Sequence, residues 1–231
     1  MSEHSTSEAT DIAGLSVAVL GGTGDQGRGL ARRFALAGHT VHLGSRNAER
    51  AEKVARTLSE GEAAPIDVRG LDNAAAAEAG DIVIIAVPWE GHRELLEELA
   101  GPLSGKIVVD CVNPLGFDKR GPYALDVAEG SAAQQAAEVL PDSRVTAAFH
   151  HVSAVVLLDP EVEEVDLDVL VLGEDREATD VVRALAERIP GVRGVFGGRL
   201  RNAHQVEALT ANLIAINRRY KTHSGIRITG L

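Results

Sequence analysis

The chain has 231 residues, of which 45% are hydrophobic, enough to bury one large core or two small ones. Its 34 Asp and Glu outnumber 23 Lys and Arg, a formal net charge of -11, so no broad cationic face for nucleic acid or an anionic membrane is implied. A lone cysteine, Cys111, excludes an intramolecular disulfide framework and a multi-cysteine zinc site and fits a cytoplasmic protein, and no apolar run reaches transmembrane length.

The opening MSEHSTSEATD has neither the basic start nor the apolar core of a signal peptide, and residues 1–13 are expected to be a disordered tail. Apolar runs then alternate with amphipathic or Ala-rich segments, the rhythm of a parallel sheet covered by helices. Strands are expected at Ser16–Leu20, Thr40–Gly44, Ile66–Arg69, Asp81–Val87 and Ile107–Cys111. The helix starting near Gln26 ends at the C-terminal glycine Gly38, and another runs from Ala48 to Leu58. DNAAAAEAG is a third, capped by Asp72 or Asn73 and stopped at Gly80. DIVIIAVP is too continuously apolar for an edge strand and is expected at the centre of the sheet. Pro114, Gly116, Gly121 and Pro122 cluster where no helix can cross, which places a domain boundary near residue 113. Beyond it are expected helices at Ser131–Leu140 and Glu177–Ile189 and strands around Val145–Phe149, Asp168–Leu172 and Gly194–Phe196. A last helix, roughly Asn202–Tyr220, carries Val206, Leu209, Leu213 and Ile216 at helical spacing, a stripe for a core or a partner subunit.

Gly22, Gly24 and Gly27 form G-x-G-x-x-G between an expected strand and an expected helix, the context in which this pattern signals a dinucleotide. NAD enzymes place an acid about 20 residues further on, to hold the ribose 2′-hydroxyl. This chain has LGSRNAER there: Ser45 offers a hydroxyl, and Arg46 and Arg50, four apart on one helical face, offer guanidiniums suited to a 2′-phosphate. Solvated surface charge is the plainer reading of the two arginines, and the missing acid favours NADP(H). In open α/β sheets ligands sit beyond the carboxyl ends of the strands, which puts Val87, Pro88 and Trp89 at the nicotinamide end and Asn113 near the nicotinamide ribose. Core packing for Trp89 and turn formation by Asn113–Pro114 are the alternatives. The usual proton donors of reductases are missing: neither tyrosine begins Tyr-x-x-x-Lys, and no lysine faces the apolar stripe of the last helix. His150 and His151 are the best remaining polar pair, but adjacent residues of an extended segment point to opposite sides, so no metal site is expected.

The stretches VAVLGGTGDQGRGLA, LGSRNAERAEK, AVPWEGH, KIVVDCVNPLGF, AAFHHVSA and VEALTANLIAINRRYKTHSGIRITGL together resemble the coenzyme F420-dependent NADP reductases, F420H2:NADP+ oxidoreductases, over almost the whole chain after the tail. The resemblance implies a Rossmann-type doubly wound domain at 14–113 and a smaller C-terminal α/β domain at 114–231 for deazaflavin binding and dimerisation. It implies a homodimer whose partners are two small-molecule coenzymes, NADP(H) and F420, with reversible hydride transfer between them. By position, Thr23, Gly24, Asp25 and Gln26 would hold the pyrophosphate, and Ser45, Arg46 and Arg50 the 2′-phosphate. Val87 and Ala154 would flank the nicotinamide, and Ser153 stands where some relatives have proline. With both reacting carbons on coenzymes, no protein acid or base is obligatory; His150 is a candidate to stabilise charge on the reduced deazaflavin. Arg218, Arg219, Lys221 and Arg227 follow the last acid, Glu207, and form a basic strip for the acidic F420 tail, or for Arg218 and Arg219 a complement to the helix dipole. The glycine turn and the arginines alone would also suit an NADPH-dependent flavin or ferric-type reductase, or a noncatalytic NADPH sensor.

Overall fold

A computed structural model describes residues 10–231. Of the tail expected over residues 1–13, residues 1–9 lie outside this description, and Ile12 is packed into the core rather than solvated. The first half alternates β1 (Val17–Leu20), α1 (Asp25–Leu36), β2 (Val41–Ser45), α2 (Ala48–Glu60), β3 (Val68–Asp72), α3 (Asn73–Ala79), β4 (Ile82–Ile85), α4 (His92–Leu103) and β5 (Ile107–Asp110). A short ribbon follows, β6 (Leu115–Asp118) and β7 (Gly121–Ala124). Then come α5 (Ala132–Val139), β8 (Arg144–Ala147), α6 (Ala154–Leu158), β9 (Leu167–Gly173), α7 (Arg176–Ala186), β10 (Val192–Gly198) and α8 (Ala203–Tyr220).

Eight strands form one sheet in the order β10-β9-β8-β5-β4-β1-β2-β3, parallel throughout except at the β8–β9 pair. The sheet is Rossmann-like, and it continues across residue 113, where Ile107–Asp110 of β5 pair in parallel with Arg144–Ala147 of β8. Every residue of β1 and β4 is buried, as a strand covered on both faces requires. Their side chains alternate between two cores. Val17, Val19, Ile82 and Ile84 meet Leu30 and Phe34 of α1 on one face, and Ala18, Leu20, Val83 and Ile85 meet Leu96 and Leu99 of α4 on the other.

Helices α2, α3 and α5 start at side-chain caps: Asn47 accepts the Arg50 N–H at 2.8 Å, Asp72 that of Ala75 at 2.8 Å and Ser131 that of Gln134 at 3.1 Å. The ribbon occupies the Pro- and Gly-rich stretch that no helix was expected to cross. Pro122, which has no N–H, sits in a two-stranded edge element where the missing donor costs little. Helix α6 lies against α1 so closely that a Cβ on Gly29 would stand 2.7 Å from Leu157 Cβ. The buried Arg33 of α1 ties down the same segment, donating to the carbonyls of Leu157, Val156 and Val162 at 2.8 to 2.9 Å. Among the described residues no helix is long and apolar enough to cross a membrane.

Candidate active site

The turn from β1 into α1 contains glycines of two kinds. A Cβ on Gly21, whose φ is +74°, would lie 2.6 Å from the Ala86 carbonyl oxygen; one on Gly22 would lie 1.9 Å from Leu43 Cδ2; one on Gly27 would lie 2.7 Å from Gly22 Cα. Packing alone explains these three. Gly24 differs, because its φ of -79° suits any residue and its nearest neighbour would be the Gly21 carbonyl oxygen at 3.5 Å. Nothing in the protein requires a glycine there. Gly24 is also the N-cap of α1 and provides no side-chain cap, so the first-turn N–H groups are left for a ligand. Thr23 is half-buried beside it, and the exposed Asp25 pairs with Arg28.

At the end of the neighbouring β2, Ser45 is buried and its Oγ accepts the Asn47 N–H at 3.2 Å. Arg46 and Arg50 are exposed, and among the described residues neither has a carboxylate partner. The acid opposite Ser45, Asp72, is occupied in capping α3. Two free guanidiniums, with no free acid at the end of β2, are what a 2′-phosphate needs.

Strand order reverses between β1 and β4, and a cleft of about 360 Å³ opens beyond their carboxyl ends. Gln26 of α1 borders it, with Val87 after β4 and Cys111, Val112 and Asn113 after β5. The opposite wall is the segment His150–Ala154, and Thr210, Leu213 and Asn217 of α8 close it. The cleft thus brings together Gln26, Val87, Asn113, His150, Ser153 and Ala154 of the sequence candidates. Pro88 is exposed, and Trp89 packs against the second core with its ring 5.5 Å from that of His92; neither lines the cleft.

The turn at Phe149 shapes the far wall. Phe149 is fully buried with φ +65°, a left-handed conformation that costs a non-glycine residue ~1–3 kcal/mol. Three side chains hold it: Gln26 Nε2 donates to the Phe149 carbonyl at 3.3 Å, while Asn113 Nδ2 and Thr210 Oγ1 donate to that of His150 at 2.8 and 2.9 Å. The same turn corrects the expectation that His150 and His151 face opposite ways. The segment is bent, not extended, and both residues line one cleft. Their four ring nitrogens, and Asn113 Oδ1, are buried without a hydrogen-bond partner. Such orphaned polar atoms fit the polar edges of planar ring ligands. Burial pushes both imidazoles down to about 4, so each is neutral near pH 7, with one N–H to donate. Burial pushes the Cys111 thiol far up, and its Sγ donates to the Ile85 carbonyl at 3.1 Å.

Among the described residues no cluster of His, Cys, Asp and Glu could hold a metal ion. The basic strip at the C-terminal end is shorter than the sequence suggests. Arg227 is engaged by Asp166 and Asp168, and the buried Asp168 also binds Arg193 at 2.7 Å and the Ile228 N–H at 2.6 Å. Of the strip's four residues, Arg218, Arg219 and Lys221 are exposed and have no ion pair among the described residues.

A family model described as NADP oxidoreductase coenzyme F420-dependent matches residues 16–114. The F420-dependent NADP reductase of Methanothermobacter marburgensis is 41% identical over 223 residues, covering 94% of this chain and 99% of that one. The chain belongs to the F420-dependent NADP reductase family. A solved structure from Arthrobacter sp. FB24, described as a candidate F420-dependent NADP reductase, superposes with TM-score 0.79 at 27% identity, covering 94% of this chain and 100% of that one. Rat metalloreductase STEAP3 is 30% identical over 193 residues, 84% of this chain but 36% of its own length. The members of the family thus match this chain on both sides of residue 113, including the segments that form the cleft's far wall.

Proposed function

We propose that the cleft beyond β1 and β4 is where NADP(H) and the deazaflavin coenzyme F420 meet. The enzyme is an oxidoreductase of this family, and the two bound coenzymes supply the chemistry, a hydride passing reversibly between nicotinamide and deazaflavin carbons. The observation that carries the assignment is the lining itself: among the described residues it includes no Asp, Glu, Lys, Arg or Tyr. A site without a strong acid or base suits a reaction in which the protein's task is to stack two rings at ~3–3.5 Å and exclude water.

In this reading the Gly24 turn and the first N–H groups of α1 hold the pyrophosphate, helped by Thr23, Asp25 and Gln26. Ser45, Arg46 and Arg50 hold the 2′-phosphate. Val87 and Ala154 flank the nicotinamide from opposite walls, with Asn113 near its ribose. His150, as a neutral donor, offers an N–H to charge developing on the deazaflavin, and Ser153 borders the same ring. Residues 14–113 serve as the NADP half and residues 114–231 as the deazaflavin half. The free Arg218, Arg219 and Lys221 attract the acidic tail of F420. Phe117, Tyr123, Ile216 and Tyr220, all exposed on the β6–β7 ribbon and the helix it packs on, support a homodimer, and the lone buried thiol suits the cytoplasm.

Anaerobic mixing of the enzyme with NADPH and oxidised F420 tests the assignment. Deazaflavin absorbance should be lost rapidly with NADPH and slowly with NADH. Tight NADPH binding without bleaching would instead select the noncatalytic sensor.

A further inference from the structure

On the α4 face of the sheet, behind β5, a buried polar chain plays no part in the reading above. His92, the first residue of α4, is fully buried. Its Nε2 lies 2.5 Å from Asp110 Oδ2 and its Nδ1 2.9 Å from Gln135 Oε1. The Gln135 amide is oriented by Glu129, whose Oε1 accepts from Gln135 Nε2 at 3.3 Å, so the amide oxygen is what faces His92. Both ring nitrogens therefore face acceptors, and only the imidazolium has two N–H groups to donate. Burial by itself would push the imidazole down, but the Asp110 carboxylate and the hydrogen bonds to Asp110 and Gln135 more than offset it and hold His92 above its ordinary value.

The second oxygen of Asp110 accepts the Val112 N–H at 3.0 Å and so fixes the bend that follows β5. Val112 and Asn113 line the cleft, and Asn113, together with Thr210 of α8, pins the His150 carbonyl. A buried ion pair contributes little net stability compared with apolar residues of the same size. What it does provide is directionality, because only one geometry of the bend satisfies both oxygens.

We propose, on the reading of the cleft as the hydride-transfer site, that His92 is a positioning residue: its imidazolium locks Asp110, Asp110 locks the Val112 amide, and the resulting bend sets Asn113 against the His150 carbonyl and fixes the ring-stacking distance. The ion pair acts on the reacting ends of the coenzymes, not on the anchoring of the nucleotide, because the Gly24 turn and the Arg46/Arg50 pair belong to other segments. The charged groups facing His92 are Asp110 of β5, Glu207 of α8 and, through Gln135 of α5, Glu129 with its partner Arg93.

The test is a split between binding and turnover. His92→Phe keeps a ring of similar volume and should lower kcat at least tenfold while the Kd for NADPH changes less than threefold. Asp110→Asn retains an acceptor for the Val112 N–H and removes the charge that keeps His92 protonated. The wild-type pH profile of kcat should show an alkaline limb as His92 gives up its proton, and Asp110→Asn should keep more of kcat than His92→Phe and lose that limb. The limb should survive in Glu207→Gln, which separates His92 from the neighbouring buried acid. Wild-type kcat and an unchanged limb in Asp110→Asn overturn the proposal even if His92→Phe fails to fold, as does His92→Phe that folds, binds NADPH and turns over normally. Failure of the wild-type enzyme to bleach F420 with NADPH would be a different result, the failure of the cleft assignment itself.

Discussion

Replacing Gly24 with alanine should weaken cofactor binding and leave the stability of the fold nearly unchanged. The backbone at Gly24 has φ -79° and ψ 165°, open to any residue, and the new methyl would meet nothing closer than the Gly21 carbonyl oxygen at 3.5 Å. Glycine to alanine at such a position stabilises by ~0.4–1 kcal/mol through the unfolded chain, and the poorer N-cap that alanine makes for α1 offsets it by a similar amount. For a chain of this length Tm should therefore shift by no more than about 2 °C. The same methyl occupies the approach to the uncapped N–H groups of α1, and losing one charge-assisted hydrogen bond to the pyrophosphate costs ~1.5–3 kcal/mol, a roughly 10- to 100-fold rise in the Kd for NADPH. Thermal unfolding and a fluorescence titration of NADPH measure the two effects separately. Gly22→Ala is the contrast: its methyl would sit 1.9 Å from Leu43 Cδ2 and 2.7 Å from the Val19 carbonyl oxygen, so Tm should fall. Wild-type NADPH affinity in Gly24→Ala would show that the pyrophosphate does not cross this turn.

The double substitution Arg46→Ala/Arg50→Ala should raise the Kd for NADPH about 30- to 100-fold, from ~2–3 kcal/mol of exposed, charge-assisted contacts, and leave NADH nearly unaffected; retained preference for NADPH would contradict the clamp. His150 and His151 are held near 4, whereas the unfolded chain protonates near 6.5. The unfolded state therefore binds protons that the native state refuses, and stability should fall as pH drops from about 6.5 to 4, by of order 3 kcal/mol per histidine in urea unfolding. Glu207 works the other way: burial, foremost, raises it to about 7, so its contribution weakens as pH rises from about 4.5 to 7. Glu207→Gln should remove that opposing slope and steepen the acid loss; a stability flat between pH 7 and 4.5 would refute the buried neutral histidines.

The sheet was readable in sequence because its central strands are continuous apolar runs and its connecting helices carry local caps and stops, such as Asp72 and Gly80. The stretches proposed to hold NADP(H) were legible for the same local reason: the Gly22–Gly27 turn and the Ser45–Arg50 stretch are contiguous. What escaped depends on long-range contact. Gly29 looks like a helix defect until Leu157, far along the chain, is found 2.7 Å from where its Cβ would be. Thr210 reads as one polar residue of an amphipathic helix, and only the fold brings its hydroxyl to the His150 carbonyl. The left-handed Phe149 leaves no mark in the sequence, since phenylalanine does not advertise positive φ, and without it the paired histidines read as an ordinary strand end. Arg227 looked free because its partners, Asp166 and Asp168, are some 60 residues away.

The unbroken pairing of β5 with β8 bears on how this enzyme can be re-engineered. A change of electron acceptor would ordinarily be sought by grafting the C-terminal half onto another nucleotide-binding half, as if the two were cassettes. Here a cut after residue 113 would turn β5, all four of whose residues are buried, into a bare sheet edge ready to recruit a strand from another molecule. It would also strip Arg33 of the carbonyls it binds in the second half. On the proposed site, acceptor specificity is therefore better altered residue by residue along the Phe149 turn and α8, with the sheet left whole.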